Sequence, residues 1–429
     1  MRTKQWLPFA ALLLIVALLA APTYSGVQTS SAQASGSTVV IPKGKTIKIG
    51  WAGDLTKQLV VPSKGILFGA QVAVNRRNAA GGIKGFNVEI VQGDDQCVGE
   101  QATTVAQKFA SDPEILGVVG HVCSGATIPA SDVYEKARIV MVSPSATAYA
   151  VTNRGLTVVN RVVFTDDKQG LADALYMINE LKAKTVATLD DSASYGKGLA
   201  ETVQREFARL GGQVVLAESI DPEAKDYRPV LTKLLANPPD VLFFGGYEKP
   251  AALLTQQMKE VGLTNTKFFS DDGAYTSTYI QLAGKDAEGV LVSSVSVKAS
   301  DEQALKAFQE EFAKVANDKY EVYDPYQPNG YDAASVIMNG IESVAKVDDK
   351  GDLTVDREAL IKAVRATKGF KGLTGTLNCD SKGDCGAGEV GISEIKNGQW
   401  ELRKKYTADE LQAAAEAAPA ATMAATMSK

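Results

Sequence analysis

The sequence predicts an α/β fold made of two doubly wound parallel-sheet lobes. Three observations predict it. Short apolar runs recur along the chain, and one amphipathic stripe follows each. The runs are continuous, as expected of strands covered by helices on both faces. Two such series flank a polar stretch at Asp166-Asp167, read as a turn, so the 429 residues divide into two lobes.

In the first series, residues 46–51 read as a strand in which Ile47 and Ile49 flank Lys48. A helix follows over 65–79 with Leu67, Ala70 and Val74 on one face, and Gly81-Gly82 stops it as a left-handed cap. Residues 88–92 are the next strand. Ala102, Val105, Ala106 and Phe109 then give the i, i+3, i+4, i+7 spacing of a buried helix face, which Asp112-Pro113 breaks. Residues 115–119 are a wholly apolar strand. Ala126, Ala130, Val133 and Ala137 mark a helix, and 139–142 a strand.

The second series repeats the rhythm. Helix stripes at Leu171, Ala174, Leu175 and Ile178, at Leu199, Val203, Phe207 and Leu210, at Tyr227, Val230, Leu231 and Leu234, and at Ala251, Leu254, Met258 and Val261 alternate with strands at 185–189, 214–217, 241–244 and 267–270. Residues 290–297 are β-rich. Helical patterns return at Leu305, Phe308, Phe312 and Val315, then at Ala333, Ile337, Ile341 and Val344.

The ends differ in composition. Arg2 and Lys4 precede an apolar run over 7–20, and Ala32-Gln33-Ala34 offers a cleavage pattern, so residues 1–34 read as a signal peptide. Cleavage nearer Ser25 and retention as an uncleaved anchor are the alternatives. No cysteine lies near this region to serve as a lipobox. Residues 35–45 read as a Ser-rich tether, and 407–429 as an Ala-rich tail without a core pattern. The chain is therefore expected to be exported, to the periplasm or the outer face of the membrane.

Charge and rare residues exclude several functions. The 45 basic and 50 acidic residues leave a net charge of −5, which becomes −7 without the leader. An acidic chain suits nucleic acid poorly, so no nucleic-acid partner is expected. The single histidine, His121, excludes any metal site built on two imidazoles. No metal or cofactor is expected. A Ser–His–Asp triad through Ser124 lacks a G-x-S-x-G elbow, and His121 reads as a structural, hydrogen-bonded residue. Gly44-Lys45-Thr46 lacks the upstream glycine of a phosphate loop, and 348–352 lacks calcium-loop spacing. The chain reads as a binder, not an enzyme. Cys379 and Cys385 read as a local disulfide, because export makes pairing the rule and no C-x-x-C pair supports zinc.

Ligands of open parallel sheets bind beyond the carboxyl ends of the strands. That rule selects residues 120–127 and 143–147 in the first series, which bring small hydroxyls and a helix start suited to a carboxylate. In the second it selects 190–198 with Tyr195, 245–248 with Tyr247, and 270–273 with two acids. A zwitterion with an apolar side chain fits this division.

Several motifs, in order, carry a family resemblance. They are Gly81-Gly82-Ile83, Asp94-Asp95 before Cys97, Gly120-His121-Val122-Cys123-Ser124, Pro129-Ala130-Ser131-Asp132, Ser143-Pro144, Tyr195-Gly196-Lys197-Gly198-Leu199-Ala200, residues 223–227, Gly245-Gly246-Tyr247 and Ala287-Glu288-Gly289. Over roughly residues 45–400 the chain resembles the leucine/isoleucine/valine-binding proteins. The resemblance implies a type I periplasmic binding protein whose lobes are joined by three crossovers, here near 165, 295 and 375. One lobe then comprises 46–165 plus 296–375, and the other 166–295 plus 376–406. It implies a monomeric, extracytoplasmic binder that closes on an amino acid, branched-chain or otherwise hydrophobic, and delivers it to an ABC transporter permease. Same-fold sensors and binders of amides, urea or aromatic acids are the alternative, with an α/β enzyme the third and least favoured reading. By the same resemblance Ser124 and Thr147 receive the α-carboxylate. Thr147, the Ser145 carbonyl and Asp272, read as the one buried acid, receive the ammonium. Tyr195 and Tyr247 close over the ligand, Val122 and Cys123 line the side-chain pocket, and Cys97 pairs with Cys123. Pro62 departs from the family, standing near the place of a ligand-facing tyrosine.

Overall fold

The computed structural model describes residues 38–57, 59–296, 302–317, 326–386 and 389–417. The leader and the last residues of the tail lie outside them. The first described element corrects the tether. Thr38–Ile41 (β1) is a strand because Val39 and Ile41 alternate into the core while Val40 faces out. A five-stranded parallel sheet follows, built from Ile47–Gly53 (β2), Val88–Asp94 (β3), Ile115–Val119 (β4), Val140–Ser143 (β5) and Val159–Arg161 (β6), in the order β3-β2-β4-β5-β6. All five residues of the central β4 are buried, which is why it reads as an unbroken apolar run. Val60–Ala79 (α1), Gly99–Ser111 (α2) and Ser124–Ala137 (α3) are its connecting helices. Gly81 and Gly82 end α1 at φ of 97° and 73°, as expected.

The chain then leaves this sheet. Asp166 and Asp167 are not a turn. They open the helix Asp166–Asn179 (α4), where acids favour the positive helix end, and Asp166 is buried. The second sheet takes Thr185–Asp190 (β7), Gln213–Ser219 (β8), Val241–Gly245 (β9), Lys267–Ser270 (β10) and Leu291–Ser296 (β11), connected through Ser194–Arg209 (α5), Arg228–Thr232 (α6), Glu248–Glu260 (α7) and Ser277–Ala283 (α8). After Glu302–Val315 (α9), the chain returns to the first sheet. There Gln327–Val344 (α10) packs on α1, β4 and β5.

Lys346–Val347 (β12) and Leu353–Asp356 (β13) form a small antiparallel sheet with β1. Arg357–Arg365 (α11) and the hairpin Phe370–Gly372 (β14) and Gly375–Leu377 (β15) lead to the third crossing. Glu389–Lys396 (β16) and Gln399–Tyr406 (β17) then join the second sheet antiparallel, giving β17-β16-β11-β10-β9-β7-β8. That sheet is therefore mixed, where the sequence rhythm suggested parallel strands alone. Ala408–Ala417 (α12) follows, seated by the buried Leu411. Three crossings between two sheets define the type I periplasmic-binding-protein architecture.

Candidate functional site

The carboxyl ends of β4 and β5 support one wall of a cavity of about 510 Å³. The backbone turns sharply after β4 at Gly120 (φ 135°), where a Cβ would meet the Ala52 carbonyl at 2.6 Å. Val122, Cys123 and Ser124 follow and line the cavity, with Ser124 opening α3. Polar side chains lace this loop to the next. Ser143 Oγ donates to the His121 carbonyl at 2.7 Å, Ser145 Oγ to the Val122 carbonyl at 2.9 Å, and the Ala148 amide to Ser124 Oγ at 3.2 Å. Behind them, the ring nitrogens of His121 meet Asp95 Oδ2 at 2.6 Å and the Tyr134 hydroxyl at 2.9 Å, all three residues being fully buried. His121 is scaffold, and both its nitrogens are engaged away from Ser124. Cys97 bonds to Cys123, and Cys379 to Cys385.

The opposite wall comes from the second sheet. Gly196 and Gly245 let α5 and the end of β9 approach so closely that a Cβ on Gly196 would lie 2.3 Å from the Gly245 carbonyl. This contact brings the rings of Tyr195 and Tyr247 to 5.5 Å between centroids. Asp272, beyond β10, accepts from the Tyr195 hydroxyl, the Tyr326 hydroxyl and Gln169 Nε2, each at 2.6 Å. Tyr326 immediately precedes α10 of the first lobe, so one carboxylate is held from both sides of the cleft.

Of the eight residues expected at the ligand, Val122, Cys123, Ser124, Ser145, Tyr195, Tyr247 and Asp272 line the cavity. Thr147 does not. Its hydroxyl is buried one layer behind, close to the Asp166 carboxyl but outside hydrogen-bond geometry with it. Leu59, Val61, Pro62 and Ile66 at the start of α1 add an apolar surface. Tyr275, Thr276, Ser277, Thr278 and Gln281, and also Tyr326 and Gln327, line it too and were not anticipated. The first five lie in and just beyond the loop that follows β10, so extending the strand-end rule by a few residues reaches them. Tyr326 and Gln327 follow a long connection, and no local signal marks them.

Asp272 is also not a lone acid. Asp166, Asp173 and Asp271 lie close enough to influence its charge. Burial pushes Asp166 up to about 8, the Thr147 hydroxyl opposing it and the Asp272 charge adding to it. Burial raises Asp173 and Asp271 well above the usual carboxylate range, and Asp272 lies above it for the same reason, opposed first by the Tyr195 hydroxyl. The Asp166 and Asp173 carboxyl oxygens have no hydrogen-bond partner. This wall is thus rich in carboxyls and poor in cations, whereas the first-lobe wall offers hydroxyls and a helix start. The pair suits a small molecule that carries an anion at one end of its polar head and a cation at the other.

The sequence profile of the family described as "Periplasmic binding protein" matches residues 46–399. The chain belongs to this family. A leucine-, isoleucine-, valine-, threonine- and alanine-binding protein of Pseudomonas aeruginosa is 34% identical over 339 residues, covering 79% of this chain and 87% of that one. An amino acid binding protein of the same organism is 40% identical over 227 residues, which span 52% of this chain and only 60% of the relative. Among solved structures, a leucine binding protein from Thermotoga maritima has a TM-score of 0.75 at 27% identity, covering 85% of this chain and all of that one. A branched-chain amino acid transporter substrate binding protein from Streptococcus pneumoniae, in complex with isoleucine, has a TM-score of 0.74 at 25% identity, with coverages of 85% and 99%. These solved structures share the two-lobed fold described above.

Proposed function

We propose that this protein is the extracytoplasmic solute-binding component of an ABC transporter, and that it captures a branched-chain or other hydrophobic amino acid. The observation that carries this reading is the opposition of walls across the cavity: Ser124 at the start of α3 on one side, Asp272 between two tyrosine hydroxyls on the other. The names of the relatives, several of them leucine, isoleucine and valine binders, support the same ligand class.

In this reading the α-carboxylate takes the Ser124 hydroxyl and the α3 N-terminus, while the ammonium takes Asp272 and the Ser145 carbonyl; Thr147, buried behind this wall, is left out of the seat. The Ser145 hydroxyl is already committed to Val122, which leaves its carbonyl for the ligand. The side chain packs on Val122, Cys123, Leu59 and Pro62 beneath Tyr195 and Tyr247. A ligand that touches both walls stabilises the closed arrangement over the open one, and the closed form docks on the permease. No covalent step is involved.

A thermal-shift screen of the mature protein against the amino acids tests this. A ligand at 100 times its Kd stabilises the fold by about 2.7 kcal/mol. No stabilisation by any amino acid refutes the reading.

A further inference from the structure

Arg161 ends β6 and is completely buried, yet it does not line the cavity. All three of its guanidinium nitrogens donate hydrogen bonds. Nη1 donates to the carbonyls of Ala146, Thr147 and Ala148 at 3.2, 2.7 and 2.9 Å. Nη2 donates to Thr152 Oγ1 at 2.7 Å, and Nε to Asp384 Oδ1 at 2.5 Å. Thr152 in turn donates to the same Asp384 oxygen at 2.8 Å. Residues 146–148 continue the loop that holds Ser145. In a trans peptide the amide points opposite to the preceding carbonyl, so three carbonyls drawn to one guanidinium orient the amides that follow them away from it. One of these, the Ala148 amide, reaches Ser124. The planar five-donor fork can do this, whereas a lysine ammonium cannot hold the same spread of acceptors.

The counter-charge comes from outside the cleft. Asp384 lies in the short loop closed by Cys379 and Cys385 on the third crossing. The main chain of that loop is stitched to Arg161 on both sides, from the Arg161 amide to the Gly383 carbonyl and from the Cys385 amide to the Arg161 carbonyl, each at 2.9 Å. Asp380 caps the amides of Lys382, Gly383 and Asp384 from within, at 2.8 to 2.9 Å. Gly383 has no room for a Cβ, which would fall 2.3 Å from the Val159 carbonyl. The loop is a closed, filled unit that presents one carboxylate to one buried cation.

We propose that Arg161 and Asp384 are positioning residues for the amino-acid seat, and that the loop closed by Cys379 and Cys385 is the rigid backing through which they act. The disulfide outside the cleft then contributes to ligand affinity as well as to stability. The inference rests on the seat assigned above to Ser124 and Ser145. The test uses the full mature chain, wild type beside Asp384→Asn and the double variant Cys379→Ser/Cys385→Ser. Asp384→Asn keeps an acceptor for Nε and both cysteines, so it tests the ion pair without removing the cross-link.

Calorimetric titration with L-leucine and L-isoleucine, well below each melting temperature, is paired with amide hydrogen exchange without ligand. The expected result is affinity weaker by about ten-fold or more, the effect of one charge-assisted hydrogen bond, with faster exchange at residues 146–148. Affinity within about two-fold of wild type, or unchanged exchange in that loop, overturns the proposal. If the wild type binds neither amino acid, leucine and isoleucine are removed as ligands on their own. The exchange measurement then still decides whether Asp384 and the disulfide loop hold the backbone of residues 146–148.

Discussion

Replacing Asp166 with Asn should change how stability depends on pH. Burial pushes this carboxyl from 3.8 up to about 8 in the folded protein. The folded state therefore holds the proton more tightly than the unfolded chain does. Its contribution is complete below about pH 4 and is lost as pH rises towards 8. Four pH units at about 1.36 kcal/mol each give an upper limit of about 5–6 kcal/mol. Asn is neutral throughout and matches the protonated acid in shape. Urea unfolding of the ligand-free protein, at several pH values between about 4 and 8.5, should show wild type losing stability relative to the variant by up to about 1.4 kcal/mol per pH unit. Asp271, Asp272 and Asp191 are raised as well and titrate in both proteins, while Asp173, which feels the Asp166 charge, should itself ionise more readily in the variant. Wild-type and variant curves that run parallel across this window would refute the reasoning.

Further outcomes follow from the same geometry. Ser124→Ala should weaken amino-acid binding in calorimetry, and an unchanged affinity would remove Ser124 from the seat. Asp272→Asn should weaken binding by about 2–5 kcal/mol, because the ligand ammonium loses its charged partner, while the two tyrosine hydroxyls keep an acceptor. Cys97→Ser with Cys123→Ser should lower unfolding free energy by roughly 3–4 kcal/mol in the chain-entropy account, measured by denaturant titration. Gly120→Ala should cost about 1–3 kcal/mol in the same assay, since its φ of 135° and the nearby Ala52 carbonyl both oppose a Cβ.

Most of the architecture was legible because buried parallel strands write themselves as apolar runs, β4 most plainly. The ligand loops were legible because they sit where such strands end. What stayed hidden had physical reasons. The β17 strand is largely exposed and carries Glu401, Arg403, Lys404 and Lys405, so no apolar face announces it. Asp166 and Asp173 read as solvated because acids usually are, and only tertiary packing buries them, α4 lying against the second sheet and Asp166 also against Thr147 and Arg161. Tyr326 enters the cavity from far along the chain, through contacts that local pattern does not encode. In β1, a four-residue strand was submerged in a Ser- and Thr-rich stretch, where composition outweighed the alternation of Val39 and Ile41.

The bond from Tyr326 to Asp272 also bears on time. Tyr326 stands at the head of α10 and Asp272 just beyond β10, so separating the two sheets must break it. A hydrogen bond to a carboxylate contributes about 1.5–3 kcal/mol. At 1.4 kcal/mol per factor of ten, that slows opening by roughly ten- to a hundred-fold. Phe at position 326 would leave recognition of the solute's head group largely intact while shortening its stay. In the proposed binding cycle the tyrosine would therefore set how long the solute stays, and a transporter receiving the closed protein would have to wait for this bond or break it.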